Sequence, residues 1–316
     1  MVKQISKDAL SVVVVGGGSI GISFTLLFAK SNIDIALYEP DLDRFNFIMQ
    51  EIKLRIEDLE NYDLLTISKE TVLQRITLLN DLTELPNNAP DLVIECVPER
   101  LEIKQSIFSQ LEILFSKETI FVSASSAIMM SKIAENLHNK TRCLIAHPGN
   151  PPHLIPIIEL VPTPETALDV INKAKFLFES CGQIPVILNQ EIEGFIFNRL
   201  QGAVLREAYC LVRDGIASVN DIDKVMTEGL GLRWSIVGPF ETIDLNTRGG
   251  VVSHAEKMGP AYARMGAERG QKDPWTEDLV KDVNQQRRDI LPMEDWDLRV
   301  RWRDEMIMKL LKERNQ

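Results

Sequence analysis

The sequence predicts an α/β fold in which a mostly parallel sheet domain precedes an all-helical domain. Two observations predict it. Through the first two-thirds of the chain, short runs rich in Val, Ile and Leu alternate with helical stretches. After Asn189 the strand signals stop, and apolar residues recur only at three- and four-residue intervals. The 316 residues suffice for two domains at about 150 residues each. The pattern change divides them into residues 1–190 and 191–316.

The strand-like runs are, in order, Val12–Val15, Ile33–Tyr38, Ile76–Leu79, Leu92–Val97, Ile120–Ser123, Cys143–Ala146, Ile155–Val161 and Ile184–Leu188. Runs this short and this apolar belong to strands covered on both faces, which favours parallel pairing. Arg44–Leu59 and Ile103–Phe115 are helix-like stretches between them. Phe195–Asp214, Asn220–Leu230, Asp278–Arg288 and Trp296–Arg314 carry the helical spacing of the second domain. Within the last of these, the mixed-charge run Arg299–Arg314 reads as an amphipathic helix with a solvated face.

Composition narrows the function classes. With 45% hydrophobic and 26% charged residues the chain can build a sizeable core. Lys+Arg 35 against Asp+Glu 46 gives a net charge of −11, which argues against nucleic-acid or anionic-membrane binding. The four cysteines, Cys96, Cys143, Cys181 and Cys210, form no CxxC pair and have no metal-ligand spacing, so no metal is expected and a reducing compartment suits them. Ala9–Ala29 is uncharged and follows Lys3 and Lys7, a length that could span a bilayer. Its middle, however, is Gly16-Gly17-Gly18-Ser19-Ile20-Gly21, which would weaken a spanning helix and suits a strand–turn–helix. The expectation is a cytoplasmic protein without membrane insertion.

That turn is the first functional motif. Gly16-x-Gly18-x-x-Gly21 lies between a strand and a helix, the context a dinucleotide-binding, Rossmann-type loop requires. The first glycine permits the turn, the second lets backbone approach a pyrophosphate, and the third lets helix pack on strand. Ser19 and Ile20 open the helix, whose N-terminus offers free N–H groups to the phosphates. Glu39 ends the next strand, where a carboxylate accepts the adenosine ribose hydroxyls and repels a 2′-phosphate. The expected cofactor is therefore NAD rather than NADP.

A second constellation is His147 with Glu159. His147 ends an apolar strand, where ligands gather in open α/β sheets. Glu159 is a lone carboxylate inside the apolar run Ile155–Val161, costly to bury without a partner. An imidazole facing it would satisfy the carboxylate and be oriented by it. Such a pair suits alcohol oxidation, in which a base takes the hydroxyl proton while hydride leaves the carbon. His138, His153 and His254 lack this setting, though His153 is close enough in sequence to line the same cleft.

Together with Val97-Pro98-Glu99-Arg100-Leu101, His147-Pro-Gly-Asn-Pro-Pro152, Glu159-Leu-Val-Pro162 and Gly194-Phe-Ile-Phe-Asn-Arg-Leu200, these motifs resemble the 3-hydroxyacyl-CoA dehydrogenase family. Pro164–Ala167, Glu228–Arg233 and Trp302–Glu305 resemble its lambda-crystallin/L-gulonate 3-dehydrogenase branch. The resemblance spans nearly the whole chain. It implies His147 as general acid/base with Glu159 as its partner, and Ser126 and Asn198 as donors to the reacting oxygen. It also implies Glu99, Lys104 and Asn150 on the ribose–nicotinamide side, and a homodimer built through the helical domain. By spacing alone, Glu99 and Lys104 would be an exposed pair at a helix start. Where many members read Asn-Thr-Ser-Ser-Leu, this chain reads Ser123-Ala124-Ser125-Ser126-Ala127, leaving open which serine faces the substrate.

The substrate expected is a small free hydroxy acid, L-gulonate-like, oxidised at its 3-hydroxyl to the 3-keto acid. Arg233 in Leu-Gly-Leu-Arg-Trp would grip its carboxylate. An acyl-CoA enzyme would want basic residues after Glu39, whereas Arg55–Asp63 is predominantly acidic. The alternatives are a short-chain 3-hydroxyacyl-CoA dehydrogenase, a carnitine dehydrogenase and a non-catalytic NAD-binding structural protein.

Overall fold

A computed structural model describes residues 10–85, 89–248, 250–269 and 276–314. The chain forms two compact units, one of residues 1–199 with 301–316 and one of residues 200–300.

The first unit holds an eight-stranded sheet of β1 (Ser11–Val15), β2 (Asp34–Tyr38), β3 (Ile76–Leu79), β4 (Leu92–Glu95), β5 (Ile120–Ser123), β6 (Cys143–Pro148), β7 (Ile157–Pro162) and β8 (Ile184–Ile187). Their spatial order is β3-β2-β1-β4-β5-β6-β7-β8. All neighbours are parallel except β6 and β7, so the last two strands run against the first six. Every expected strand forms, with ends shifted by a few residues. Crossovers α1 (Ser19–Ala29), α2 (Phe45–Asn61), α3 (Lys69–Gln74), α4 (Leu101–Leu114), α5 (Met130–Ile133) and α6 (Leu168–Ser180) complete the unit.

Period-two alternation splits the apolar side chains into two cores. Val12, Val14, Leu37, Ile94 and Val122 pack beneath α1, α2 and α6, where Phe24, Phe28, Ile52 and Phe178 meet them. Val13, Val15, Val93, Phe121 and Ile145 face the other way, toward Phe108, Leu111 and Met130 of α4 and α5. Near the C-terminus, Met308 joins Leu59 and Leu154 in a small separate cluster, and Lys312 pairs with Asp63.

The second unit is helical throughout its described residues. The helix α7 (Phe197–Arg213) leads into α8 (Val219–Lys224), a π-helical stretch at Val225–Gly231, α9 (Leu232–Trp234), α10 (Pro239–Asn246), α11 (Gly250–Glu268) and α12 (Glu277–Ile290). The last helix, α13 (Trp296–Arg314), starts here and ends in the first unit. The expected single helix over Asn220–Leu230 is therefore corrected to an α-turn followed by a π-helix. The tighter approach at Gly231 explains part of it: a Cβ there would lie 2.6 Å from the Met226 carbonyl oxygen. Within this unit Val219 N–H donates to Gln286 Oε1 at 3.0 Å, and Arg269 bridges Glu207 and Asp214. No described helix is long and apolar enough to cross a membrane.

Candidate active site

The glycine loop has the geometry its spacing predicts. Gly16 sits at φ +111°, and a Cβ on it would come within 2.8 Å of the Cys96 carbonyl oxygen. A Cβ on Gly21 would lie 1.9 Å from the Gly16 carbonyl oxygen, so the first turn of α1 packs on the loop only without a side chain. At Gly18 the same test meets nothing within 4 Å, leaving open space above the backbone. Gly18 also caps α1 without a side-chain acceptor, so the N–H groups of Ser19 and Ile20 remain for a ligand. A pyrophosphate fits this cradle.

Glu39 closes β2 beside the loop and is buried. One of its oxygens accepts from Gly17 N–H at 3.1 Å and from Arg44 Nη1 at 2.7 Å. The other accepts only from Asp41 N–H, at 3.3 Å.

A buried ionic chain lies where the end of β4 meets α4. Lys104 of α4, 1% exposed, donates to Glu95 at 2.9 and 3.1 Å, and Glu95 at the end of β4 is 0% exposed. Ser123 hydroxyl and Val97 N–H complete the Glu95 shell at 2.5 and 2.7 Å. The Lys104 ammonium also reaches Glu99 at 3.1 Å. Glu99 in turn accepts from the Ser125 hydroxyl and from the N–H groups of Ser126 and Ala127, at 3.1 and 3.3 Å. Burial raises the Glu95 carboxyl above its usual range, with Lys104 opposing. Burial acts on Glu99 in the same sense, but Ser125 and Lys104 outweigh it and hold that carboxyl low. Lys104 is thus not part of an exposed helix-start pair, as its spacing alone suggested: it is enclosed, and only Glu99 reaches solvent.

Ser125 is buried and spent on Glu99 and on Ile128 N–H, whereas Ser126 is exposed. The Ser126 carbonyl accepts from Asn198 Nδ2 at 3.0 Å, so the start of α7 and the β5–α5 loop are joined. Asn150 stands exposed at the turn after β6.

Antiparallel pairing of β6 with β7 sets His147 directly opposite Glu159. His147 Nδ1 lies 2.7 Å from Glu159 Oε2, both residues buried. Glu159 Oε1 accepts from the N–H groups of Ile196 and Phe197 at 2.7 and 3.1 Å. One carboxylate therefore fixes the imidazole and the first turn of α7 together. Phe195 and Phe197 flank the ring, with centroids 5.4 and 6.2 Å away. Phe195 is fully buried at φ +50°, a backbone region that costs a bulky residue about 1–3 kcal/mol. With Nδ1 turned to the carboxylate, Nε2 is left to exchange a proton with a ligand.

The pattern for "3-hydroxyacyl-CoA dehydrogenase, NAD binding domain" matches residues 11–192, and that for the "3-hydroxyacyl-CoA dehydrogenase, C-terminal domain" matches residues 194–290. The chain belongs to the 3-hydroxyacyl-CoA dehydrogenase family. A lambda-crystallin homolog of Rattus norvegicus is 36% identical over 98% of this chain and 98% of its own. An L-carnitine dehydrogenase of Oceanobacillus iheyensis is 32% identical over 84% and 82%. The solved structure of an NAD+-dependent 5-formyl-3-hydroxy-2-methylpyridine 4-carboxylic acid 5-dehydrogenase superimposes with a TM-score of 0.82 over 96% of this chain and 97% of that one, at 22% identity, a likeness of fold. As a member of the 3-hydroxyacyl-CoA dehydrogenase family the protein is an NAD-dependent oxidoreductase acting on 3-hydroxyl groups.

In this family member the glycine loop, Glu39, Glu99, Lys104, Ser126, His147, Glu159 and Asn198 all belong to the first unit. Arg233 belongs to the second unit, on α9, exposed and with no ion-pair partner among the described residues. His153 is buried away from solvent and its backbone carbonyl accepts from Lys30 Nζ at 3.0 Å. Burial, with Arg55 and Lys30 nearby, pushes its imidazole down to about 3, so it is a neutral structural side chain. Sequence reasoning missed Glu95 and the two phenylalanines, and it noted Arg44 only as the first basic residue after Glu39, not as the partner of that carboxylate. Glu95 carried the signal that exposed Glu159, a carboxylate in an apolar run.

Proposed function

We propose that the protein oxidises the 3-hydroxyl of a small free hydroxy acid, L-gulonate-like, to the 3-keto acid. The buried His147–Glu159 contact carries the chemical part of this reading. Bound NAD supplies the hydride acceptor. His147 Nε2 takes the hydroxyl proton, while Glu159 holds the ring through Nδ1 and stabilises the imidazolium that results. Ser126 hydroxyl and Asn198 amide hold the reacting oxygen as its charge changes. Phe195 and Phe197 keep water from the imidazole flank. The Gly16–Gly21 loop with Ser19 and Ile20 takes the pyrophosphate, Glu39 the adenosine ribose, and Glu99, Lys104 and Asn150 the nicotinamide side.

Arg233 supports a free acid: an exposed guanidinium without an ion-pair partner among the described residues is available to a carboxylate. The 36% identity to a lambda-crystallin homolog over nearly the whole chain supports the same branch. Carnitine, also a 3-hydroxy acid with a free carboxylate, is the second reading, favoured by the 32% identical L-carnitine dehydrogenase. We further infer a homodimer through the helical unit, where Leu232, Ile236, Phe240, Leu245 and Val252 are all exposed. The four cysteines, none of them in a disulfide, suit the reducing cytoplasm.

NADH formation measured against L-gulonate and related hydroxy acids, L-carnitine and 3-hydroxybutyryl-CoA tests the assignment. Turnover confined to the CoA ester would overturn it. Sedimentation at micromolar protein tests the dimer.

A further inference from the structure

The carboxylate expected to meet the adenosine ribose does not stand alone. Arg44 closes the short 3-10 turn Leu42–Arg44 that follows β2. Its Nη1 donates to Glu39 Oε2 at 2.7 Å and its Nη2 to the Gly17 carbonyl at 3.0 Å. Gly17 N–H reaches the same Oε2 at 3.1 Å. One carboxylate oxygen is thus committed to the protein, and Oε1, which holds only the 3.3 Å contact from Asp41 N–H, is the one left for a ribose hydroxyl. The Glu39 side chain is 7% exposed but that of Arg44 is 42% exposed, so the guanidinium faces both the loop and open solvent.

We propose that Arg44 is a cofactor-specificity residue: a binding group for a 2′-phosphate that Glu39 holds out of use. The proposal rests on Glu39 meeting the adenosine ribose and is independent of the substrate. A phosphate carries about −1.5 to −2 charges near neutrality, so a bare carboxylate at the 2′ position repels it strongly. Arg44 neutralises part of that repulsion. Asp41 and Asp43 on the same turn keep the surroundings negative, which favours NAD in the native protein. Take the Glu39 carboxylate away and the balance changes. The guanidinium keeps its anchor on the Gly17 carbonyl, loses its ion-pair partner, and has N–H groups free for two parallel bonds to a phosphate. The 2′-phosphate site is then completed by a residue already present, without moving backbone.

The test measures dissociation constants of NAD, NADP, 5′-AMP and 2′-AMP by calorimetry, so it needs no turnover. In Glu39→Ala, NADP and 2′-AMP should bind about tenfold tighter or better than to the native protein, the scale of one charged hydrogen bond. NAD should weaken severalfold. Adding Arg44→Met should erase most of the NADP gain and leave NAD near its Glu39→Ala value. An NADP gain that survives Arg44→Met overturns the proposal, as does weakened NAD with no NADP gain. If Glu39→Ala leaves both dinucleotides as in the native protein, the ribose assignment itself is wrong, a distinguishable result. Glu39→Gln, which keeps the side-chain volume and removes the charge, repeats the series should the alanine variant fold poorly.

Discussion

Glu159 Oε2 meets His147 Nδ1 at 2.7 Å while its other oxygen takes the N–H groups of Ile196 and Phe197. The carboxylate is therefore a joint between the sheet and the start of α7. Replacing either partner should have different consequences.

His147→Gln removes only the proton acceptor. The variant should fold and bind NAD normally while turnover falls about 10²–10⁴-fold, the usual contribution of an acid–base group. Steady-state rates with calorimetric NAD binding check this, and turnover within a few-fold of normal refutes the role. Glu159→Gln should also destabilise the fold, since a buried ring and a helix start lose one anchor. Its turnover should fall as well, because the ring loses the carboxylate that orients it through Nδ1.

Arg233→Met should raise KM for a free hydroxy acid by about 1.5–3 kcal/mol in binding terms. NAD affinity should stay close to normal. Arg233→Lys should recover part, since a point charge cannot reproduce two parallel hydrogen bonds. A CoA thioester has no carboxylate there, so an enzyme for that substrate would tolerate the change.

Glu95→Gln should be strongly destabilising, by about 3–5 kcal/mol, because it leaves Lys104 enclosed with one partner fewer. Denaturant midpoints measure it. The double variant Glu95→Gln/Lys104→Met should be more stable than Glu95→Gln alone, and equal or lower stability would show that shape rather than charge governs the site.

Acid should weaken the fold through His153. Its imidazole is held down to about 3 when folded and returns to 6.5 when unfolded. Between those values the unfolded chain binds the extra proton, so this contribution is complete above about pH 7 and is lost as pH falls. By pH 5 the loss amounts to about 2 kcal/mol. Melting curves from pH 7.5 to 5 should show His153→Gln with a flatter dependence than the native protein, and parallel curves would remove His153 from the account.

Much of this was legible in the sequence. All eight strands, the glycine turn and the Glu159 partner were visible because a strand buried on both faces leaves little room for other residue types. Glu95 closes such a strand as well, yet its partner Lys104 reads as an ordinary helix-start cation, and only the packing of α4 encloses it. Spacing could not show that β7 reverses direction, the fact that sets His147 opposite Glu159. Nor could two turns of sequence separate 3.6-residue from 4.4-residue periods, which hid the π-helix at Val225–Gly231. Helix α11 runs through Gly259-Pro260, residues that argue against a helix when read locally.

The C-terminal residues have a consequence for how the molecule comes into being. Met308 covers Leu59 and Leu154, and Lys312 reaches Asp63, so the sheet unit borrows a piece from residues that follow the helical unit. During synthesis at about 5–20 residues per second, the cofactor loop and every strand emerge before that piece exists. The nascent sheet must wait, with apolar surface uncovered, while the whole helical unit is made. A protein shortened to end near residue 200 would keep the glycine loop and the His147–Glu159 pair yet lack its own closing contact. Folding of the first unit is finished by residues synthesised after the whole helical unit.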